Sequence, residues 1–511
     1  MHKKWMWQMI RRRFFVIALL ALQLGVIIYT LVSGSVASEM IGRILRIVSV
    51  LVCLYIISKK GPGAYKLTWI FMILLFPVFG GLLYLLFAFQ STTRAFSRKS
   101  ARTEAKAKAL LRLDPSGYGK LTARMPQHTA QAKYLQHYAG FPVYTDTQTK
   151  YLSPGEEKFK YLLQELKKAK RYIFLEYFIV EEGTMWDTVL EILKEKVRQG
   201  VTVRVMYDDL GCFLLLPKDY PEQLEAMGIQ CRIFNPFKPV LTSMQNNRDH
   251  RKIAVIDGKV AFTGGVNLAD EYINAIERFG HWKDASVMLR GKAAWSFTLM
   301  FLQMWELAGE GDEDYSKFYP WALEPCPIKA EGYVQPYADS PMDKENVGEH
   351  VYLQIIQQAR QYLYINTPYL MIDEAMMSAL CLAAKSGVDV RIVTPHKPDK
   401  WYVHITTRSY YRDLLSAGVR VYEYSKGFIH SKTFVSDDTV ATVGTTNLDY
   451  RSLYLSFECG AVLYGTRAVG QVKEDFLNTL SVCREIGDRD CQCGILKGLF
   501  QDFLRLFAPL M

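Results

Sequence analysis

Acidic residues are nearly missing from the first 113 positions, where Glu39 and Glu104 stand against 17 Lys and Arg. The remaining chain carries 45 basic and 49 acidic residues, so the formal charge of +11 is an N-terminal property. A nucleic-acid-binding protein carries its basic face on the folded domain, and the slightly acidic bulk of this chain argues against that class. Basic residues beside apolar runs point instead to anionic lipid. Zinc-type spacing is also missing: the nine cysteines are scattered singly apart from Cys491 and Cys493. Such a pair can bind metal or oxidise, but the favoured reading is two reduced thiols in a cytosolic loop, and no metal site is expected. No short-period repeat is present, which excludes a solenoid. What the chain does have is length and apolar content. Its 511 residues, half of them apolar, accommodate two or three domains with a large core.

Uncharged runs open the chain. Lys3, Lys4 and Arg11-Arg12-Arg13 precede a first run over 14–33. About 20 residues at about 1.5 Å each match a bilayer core of about 30 Å. More apolar segments follow, so the run reads as an anchor rather than a cleaved signal peptide. A second segment, 44–58, carries Arg46 and ends at Lys59-Lys60; a third, 67–89, is broken by Pro77 and Gly80-Gly81. All the basic flanks ask for the cytoplasmic side. Two spans plus a re-entrant third segment turning at Pro77–Gly81 satisfy that demand, and three full spans do not. Residues 1–93 are therefore expected to form a membrane anchor and 94–148 a polar linker.

From Ser153 the pattern changes to alternating strands and helices. Ser153-Pro154-Gly155-Glu156 reads as a helix start, with Ser as N-cap and Pro in the first turn. A helix to about Lys170, a buried strand over Tyr172–Phe178, a helix over Thr184–Gln199 closed by Gly200, and a strand over Val201–Tyr207 follow. The rhythm returns as a strand over Tyr362–Asn366, a helix over Ala375–Ser386, a strand over Val388–Thr394, then Ser409–Ala417 and Val419–Tyr424. The expected architecture is α/β, with duplicated half-domains over 149–330 and 331–511.

Each half presents one copy of a motif. His250-Arg251-Lys252 runs on to Asp257, Gly264 and Asn267, and 180 residues later stand His430, Lys432, Asp437, Gly444 and Asn447. A lone His-x-Lys means little, since an exposed pair on a strand explains it. Two copies in register, each followed by Gly and Asn, are not accidental. Histidine has a reference pKa of about 6.5, so near neutral pH it attacks as imidazole or donates as imidazolium. A phosphodiester is a poor electrophile with a poor leaving group. One His can take the phosphoryl centre while a second protonates the departing alkoxide. Lys252 and Lys432 add fixed positive charge, and Asn267 and Asn447 can donate to the remaining oxygens. Gly264-Gly265 reads first as turn chemistry. His281, His350, His396 and His404 lack such context and read as ordinary residues.

The doubled His-x-Lys-x4-Asp motif resembles the catalytic signature of the phospholipase D superfamily. Thr367-Pro368-Tyr369 and the stretch Gly444-Thr445-Thr446-Asn447-Leu448-Asp449 to Arg451-Ser452 extend that likeness. The spacing of the copies and the apolar N-terminal block look most like the bacterial cardiolipin synthases. The resemblance implies two phospholipase D-like half-domains sharing one active site, at a bacterial cell membrane crossed more than once, with the catalytic region cytoplasmic. It implies phosphatidylglycerol and membrane lipid as partners, with no nucleic acid, cofactor or metal. The implied reaction passes a phosphatidyl group from one phosphatidylglycerol to another through a phosphatidyl-histidine, giving cardiolipin and glycerol. His250 would be the nucleophile and His430 the acid, then the base, with the reverse assignment open. Lys252 and Lys432 would hold the phosphate, and Asp257 and Asp437 would support the motifs. A nucleophilic His needs an acceptor on its other nitrogen, and in that family the acceptor is a carboxylate beyond the motif. The candidates are Asp284 and Glu458, 34 and 28 residues after the His of their own half. Two alternatives stand: a phospholipase D-type hydrolase or other phosphatidyl exchanger, and a non-enzymatic anionic-lipid-binding membrane protein.

Two apolar stretches fall outside this pattern. Cys212-Phe213-Leu214-Leu215-Leu216-Pro217 follows a strand, where a loop is expected, and loops are seldom so apolar. It reads as a lining of a lipid entrance or as a buried packing loop. Ile495–Phe507 places Ile495, Leu496, Leu499, Phe500, Phe503, Leu504 and Phe507 on one helical face. Packing on the domain is the expectation there, and lying on the membrane the alternative.

Overall fold

Apolar strands alternating with amphipathic helices build two sheets with the same strand order. In the computed structural model, the described residues are Gly25, 28–29, 36–59, 61–76, 80–81, Tyr84, 91–111, 116–237, 243–321, 327–343 and 345–511. They fall into two compact units: Met1–Ala95 with Phe237–Asn246 and Asp502–Met511, and Phe96–Pro236 with Asn247–Gln501.

The larger unit contains both sheets. The first runs Thr147–Leu152, Ser286–Gly291, Val260–Gly264, Ile253–Ile256, Tyr172–Tyr177, Thr202–Asp208, Gln230–Phe234. The second runs Tyr333–Asp339, Ser456–Tyr464, Val440–Gly444, Thr433–Ser436, Tyr362–Asn366, Asp389–Pro395, Arg420–Tyr424, with Cys483–Ile486 added at the edge. In each, parallel strands lie on one side and antiparallel hairpins on the other. The duplication read from the sequence is therefore a duplication of topology.

Helical periodicity explains how the first sheet is covered. Helix Thr184–Arg198 buries Met185, Trp186, Val189, Leu190 and Leu193, one stripe at helical spacing. Helix Gly155–Lys168 buries Leu162 and Leu166 beside it. Helix Ala294–Ala308 is buried nearly throughout, and its Phe301 ring stacks on Phe174 of the central strand, centroids 4.6 Å apart.

The motif aspartates belong to this scaffold. Asp257 and Gly258 both have positive φ, as do Asp437 and Asp438, the pairing that a tight hairpin turn requires. Lys259 N–H closes the first turn on the Ile256 carbonyl at 3.0 Å, and Thr439 N–H closes the second on Ser436 at 3.1 Å. Each carboxylate then collects the first N–H groups of the central parallel strand: Asp257 from Lys170, Arg171 and Tyr172, Asp437 from Arg360, Gln361 and Tyr362. Asp tolerates the left-handed backbone and accepts these donors, which is why it recurs here.

Several expectations need correction. Residues 94–148 are not a linker: they form helices Ser91–Leu111, Ser116–Arg124 and Thr129–His137. Leu121, Ala132 and Leu135 are buried, and Gln335 of the second sheet donates to the carbonyls of Ala132 and Phe141. High charge hid a sparse apolar stripe. Ser153 does not cap its helix; its hydroxyl bonds the Asp284 carbonyl and Asp475. The helix Ile495–Leu506 does not bury its apolar face: Ile495 and Leu496 are each 84% exposed and Leu499 62%. In the smaller unit, helices Val36–Ser58 and Gly63–Leu75 pack through Val52, Ile56, Trp69 and Ile73. Among the described residues no helix is long and apolar enough to cross a membrane. The expected run over 14–33 lies mostly outside the described residues, as does most of the third segment beyond Phe76.

Candidate active site

Two short parallel pairings stitch the halves together and set the site. Arg248-Asp249, leading into the first motif, pairs with Ser456-Phe457 of the second half. Gly427–Ile429, leading into the second motif, pairs with His281–Lys283 of the first half. The next residue on each side is then brought together. His250 meets Glu458, and His430 meets Asp284. Glu458 accepts from His250 Nδ1 at 2.8 and 3.1 Å through its two oxygens, and Asp284 accepts from His430 Nδ1 at 2.7 Å. Both carboxylates are fully buried. Both expected acceptors stand against a histidine, but the pairs cross between halves: each carboxylate meets the other half's histidine. Their equivalence follows from sheet register. Gly264 pairs with Ser286 and Gly444 with Gly460, so Asp284 and Glu458 each lie two residues before matching positions.

An Nδ1–H bonded to a carboxylate leaves Nε2 as the basic atom of each ring. His and Lys two residues apart on extended chain share a face, and each ammonium folds back on its own motif. Lys252 donates to the His250 carbonyl at 2.5 Å, and Lys432 donates to the His430 carbonyl. The charges reach across the halves: Lys252 and Lys432 each act on both histidines.

Burial, reinforced by Lys252, depresses His250 to about 4 against the opposing pull of Glu458. Burial and Lys432 depress His430 to about 3 against Asp284. Burial lowers Lys252 to about 8 and Lys432 to about 7. Burial alone would raise Glu458, but His250, Lys252 and the Thr445 hydroxyl hold it below its ordinary value. The free site therefore carries two neutral imidazoles beside two cations that give up their protons readily, an arrangement suited to an anionic ligand.

The surroundings of the two rings differ. Phe178 lies edge-on to His250 at 5.2 Å. His430 is walled by Trp282 at 5.3 Å, Tyr272 at 5.6 Å and Phe428 at 6.0 Å. Beneath His250 the structure is charged. Arg248 pairs with Asp208, and Arg251 donates to the carbonyls of Glu458 and Asp339. Glu176 and Asp249 face one another in the buried layer. Burial raises both carboxyls, Asp249 to about 7.

The remaining expected residues fall as follows. Asp257 and Asp437 are not brought to the histidines; a strand separates each from its His, roughly 20 Å of extended chain. Asn267 Oδ1 accepts from Ile179 N–H, and Nδ2 donates to the Tyr272 hydroxyl, so its amide mainly braces the wall. Asn447 Oδ1 is buried without a donor among the described residues. Gly264-Gly265 is not a turn. A Cβ on Gly265 would collide with the Asp284 carboxylate, so the glycine makes room for it. Thr445 occupies the matching place in the second half and donates to Glu458. Its role was missed; the signal was the Gly-Gly to Gly-Thr change between copies. Phe178, Tyr272, Trp282 and Phe428 were also missed, since aromatics on or beside strands and turns read as core. Cys491 and Cys493 carry free thiols. Among the described residues no cluster of three or more His, Cys, Asp or Glu is placed to hold a metal ion.

Comparison with known proteins adds to this geometry. A family model described as cardiolipin synthase, PLD-like domain matches residues 162–278 and 352–480. A second, described as phospholipase D-nuclease N-terminal, matches residues 44–88. An uncharacterized protein of Streptococcus mutans is 46% identical over 461 residues, covering 90% of this chain and 99% of the relative. Cardiolipin synthase 2 of Bacillus cereus is 36% identical over 465 residues, covering 90% of this chain and 89% of the relative. The crystal structure of a phosphatidylserine synthase from Haemophilus influenzae superposes with a TM-score of 0.55 at 15% identity, over 71% of this chain and 93% of that one. That last likeness is one of fold.

Proposed function

We infer the reaction from one premise: the chain belongs to the bacterial cardiolipin synthase family of the phospholipase D superfamily. It is an enzyme of phospholipid biosynthesis, a phosphatidyltransferase with duplicated phospholipase D-like domains. The substrate proposed is phosphatidylglycerol, used twice. His250 Nε2 attacks the phosphorus of one molecule, and the bond from phosphorus to the glycerol headgroup oxygen breaks. His430, protonated when the anion binds, gives its proton to that oxygen, and glycerol leaves. The free hydroxyl of a second phosphatidylglycerol then surrenders its proton to His430, and its oxygen attacks phosphorus. The phosphorus–nitrogen bond breaks, and cardiolipin forms. Lys252 and Lys432 offset phosphate charge throughout. One phosphodiester is exchanged for another, so no energy source enters.

The observation that carries this reading is the crossed pairing. Each histidine is oriented by a buried carboxylate of the other half, so both present Nε2 in one shared site. His250 is favoured as nucleophile because Glu458 holds it with both oxygens and is itself held by Thr445. Its side chain is also the more exposed, at 15% against 9%. The apolar loop Phe213–Leu216 shields the intermediate from water. The helix turn before it packs on the Phe178 carbonyl through Cys212 at 3.6 Å, on the same residue whose ring touches His250. The proposed setting is a bacterial membrane, with the acid-poor N-terminal region against anionic lipid and the catalytic region on the cytoplasmic side.

The test is the product. Purified full-length protein given labelled phosphatidylglycerol in mixed micelles should yield cardiolipin and an equal amount of glycerol. Phosphatidic acid alone, with phosphatidylglycerol abundant and glycerol absent, would make it a hydrolase. No conversion at all would leave the lipid-binding alternative.

A further inference from the structure

Large apolar side chains stand in solvent at equivalent places in the two halves. Parallel strands end in loops at their carboxyl edge, where α/β proteins place their sites. Strand Thr202–Asp208 ends in one such loop, which exposes Leu210 by 44% and Leu214 by 89%. Strand Asp389–Pro395, its counterpart beside Tyr362–Asn366, ends in another, which exposes Trp401 by 61%. Lys397 and Lys400 are exposed beside that tryptophan.

Each loop is tied to one histidine through aromatic rings. The first rests on Phe178, which touches His250. In the second, Lys397 N–H donates to the Gly427 carbonyl at 3.4 Å, and Asp399 accepts from the Tyr369 hydroxyl at 2.5 Å. Tyr369 lies 6.3 Å from Phe428, which lies 6.0 Å from His430. Both loops therefore stand at the rim of the same site.

We propose that these two loops form a docking surface for an anionic phospholipid bilayer, seating the mouth of the site on the membrane. The inference rests on the reading of the substrate as lipid. Leu210 and Leu214 enter the acyl region. The Trp401 ring, apolar with one N–H donor, lies at the headgroup boundary. Lys397 and Lys400 meet the negative surface. Phosphatidylglycerol then reaches the histidines by sliding out of the leaflet, without its acyl chains crossing water.

Two measurements on the full-length protein test this. In the first, vesicles of phosphatidylglycerol and brominated phosphatidylcholine quench tryptophan fluorescence. The difference between wild type and Trp401→Phe isolates the Trp401 signal from the other eight tryptophans. That signal should be quenched, and the quenching should fade when phosphatidylglycerol is replaced by zwitterionic lipid. An unquenched Trp401 overturns the proposal whether or not the protein turns lipid over. In the second, Trp401→Ala should lower turnover of vesicle phosphatidylglycerol about tenfold, with a change under about twofold on short-chain phosphatidylglycerol dispersed as monomers. Equal loss on both substrates, or loss on neither, overturns the docking surface. A wild type inert on both substrates overturns the proposed function instead, and the quenching still decides the docking.

Discussion

The two motifs share a scaffold and differ in what surrounds them. Under His250 lie Glu176, Asp249, Arg251 and the Arg248–Asp208 pair; at the matching positions of the second half stand Asn366, Ile429, Ser431, Phe428 and Pro395. The first half thus reaches the second with charge, through Arg251 to the Glu458 and Asp339 carbonyls. The second reaches the first with an aromatic, Phe428, which sits in the first half's apolar core. Duplication supplied two histidines with the same Nδ1 chemistry. Divergence of the layer behind them gave one a polar, hydrogen-bonded bed and the other an aromatic wall. Such a difference separates a nucleophile from an acid when the motifs themselves are alike.

The largest expected effect breaks the symmetry directly. His250→Ala and His430→Ala should each abolish transfer of phosphatidylglycerol while leaving the protein folded. With a donor whose leaving group is a nitrophenolate, the first-step release of nitrophenolate by His430→Ala should recover about 10²–10⁴-fold, because that group departs without a proton. His250→Ala should recover nothing. Equal rescue of both would mean that the roles are interchangeable.

The crossed pairing predicts the next effect. Glu458→Gln should behave like a weakened His250 variant and Asp284→Asn like a weakened His430 variant, each costing about 10²–10⁴-fold in kcat. The nitrophenyl donor should therefore rescue Asp284→Asn and fail to rescue Glu458→Gln. The opposite pattern would place each carboxylate with its own half's histidine.

A smaller effect concerns pH. The lowered histidine values, about 4 and about 3, mean that both imidazoles of the free site are neutral at pH 7. The acid must then gain its proton as the phosphate anion binds. kcat/KM, which reports the free enzyme, should fall as pH rises from 6 to about 9, steepened as Lys432 and Lys252 lose charge through about 7 and about 8. kcat, which reports the bound state, should hold to higher pH. A kcat/KM profile with an acidic limb at the ordinary histidine value near 6.5 would contradict this.

The smallest effect is one of partition. Replacing Leu214, Leu215 and Leu216 with Ser should shift product from cardiolipin towards phosphatidic acid, with consumption of phosphatidylglycerol falling less than cardiolipin yield. The product ratio from labelled substrate measures it, and an unchanged ratio in a folded variant removes the loop from the shield.

The sequence made the duplication and the paired motifs legible because both are local patterns repeated at a fixed offset. It also offered Asp284 and Glu458, yet it could not assign their partners. That depends on two short strand pairings between halves, Arg248-Asp249 with Ser456-Phe457 and Gly427–Ile429 with His281–Lys283. No periodicity within one half announces a contact with the other. The motif aspartates were legible as recurring members of the pattern with a supporting task, but the form of that support, a hairpin turn whose carboxylate collects the N–H groups entering the central strand, was not. The helices over 91–137 were hidden by charge, with too few apolar positions to stand out. Of the expected membrane segments, only part lies among the described residues, and none of the described helices is long and apolar enough to span.

The most direct measurement is the site of the covalent intermediate. His430→Ala should be mixed with a labelled phosphatidyl donor bearing a nitrophenolate leaving group, quenched in denaturant at alkaline pH, digested and mapped by mass spectrometry. The phosphatidyl label should lie on the peptide containing His250, in amounts approaching one per chain, and should persist on addition of phosphatidylglycerol, because the acceptor hydroxyl then has no base to take its proton. Label on any other residue, or turnover with no labelled peptide, would contradict His250 as the nucleophile of a two-step transfer.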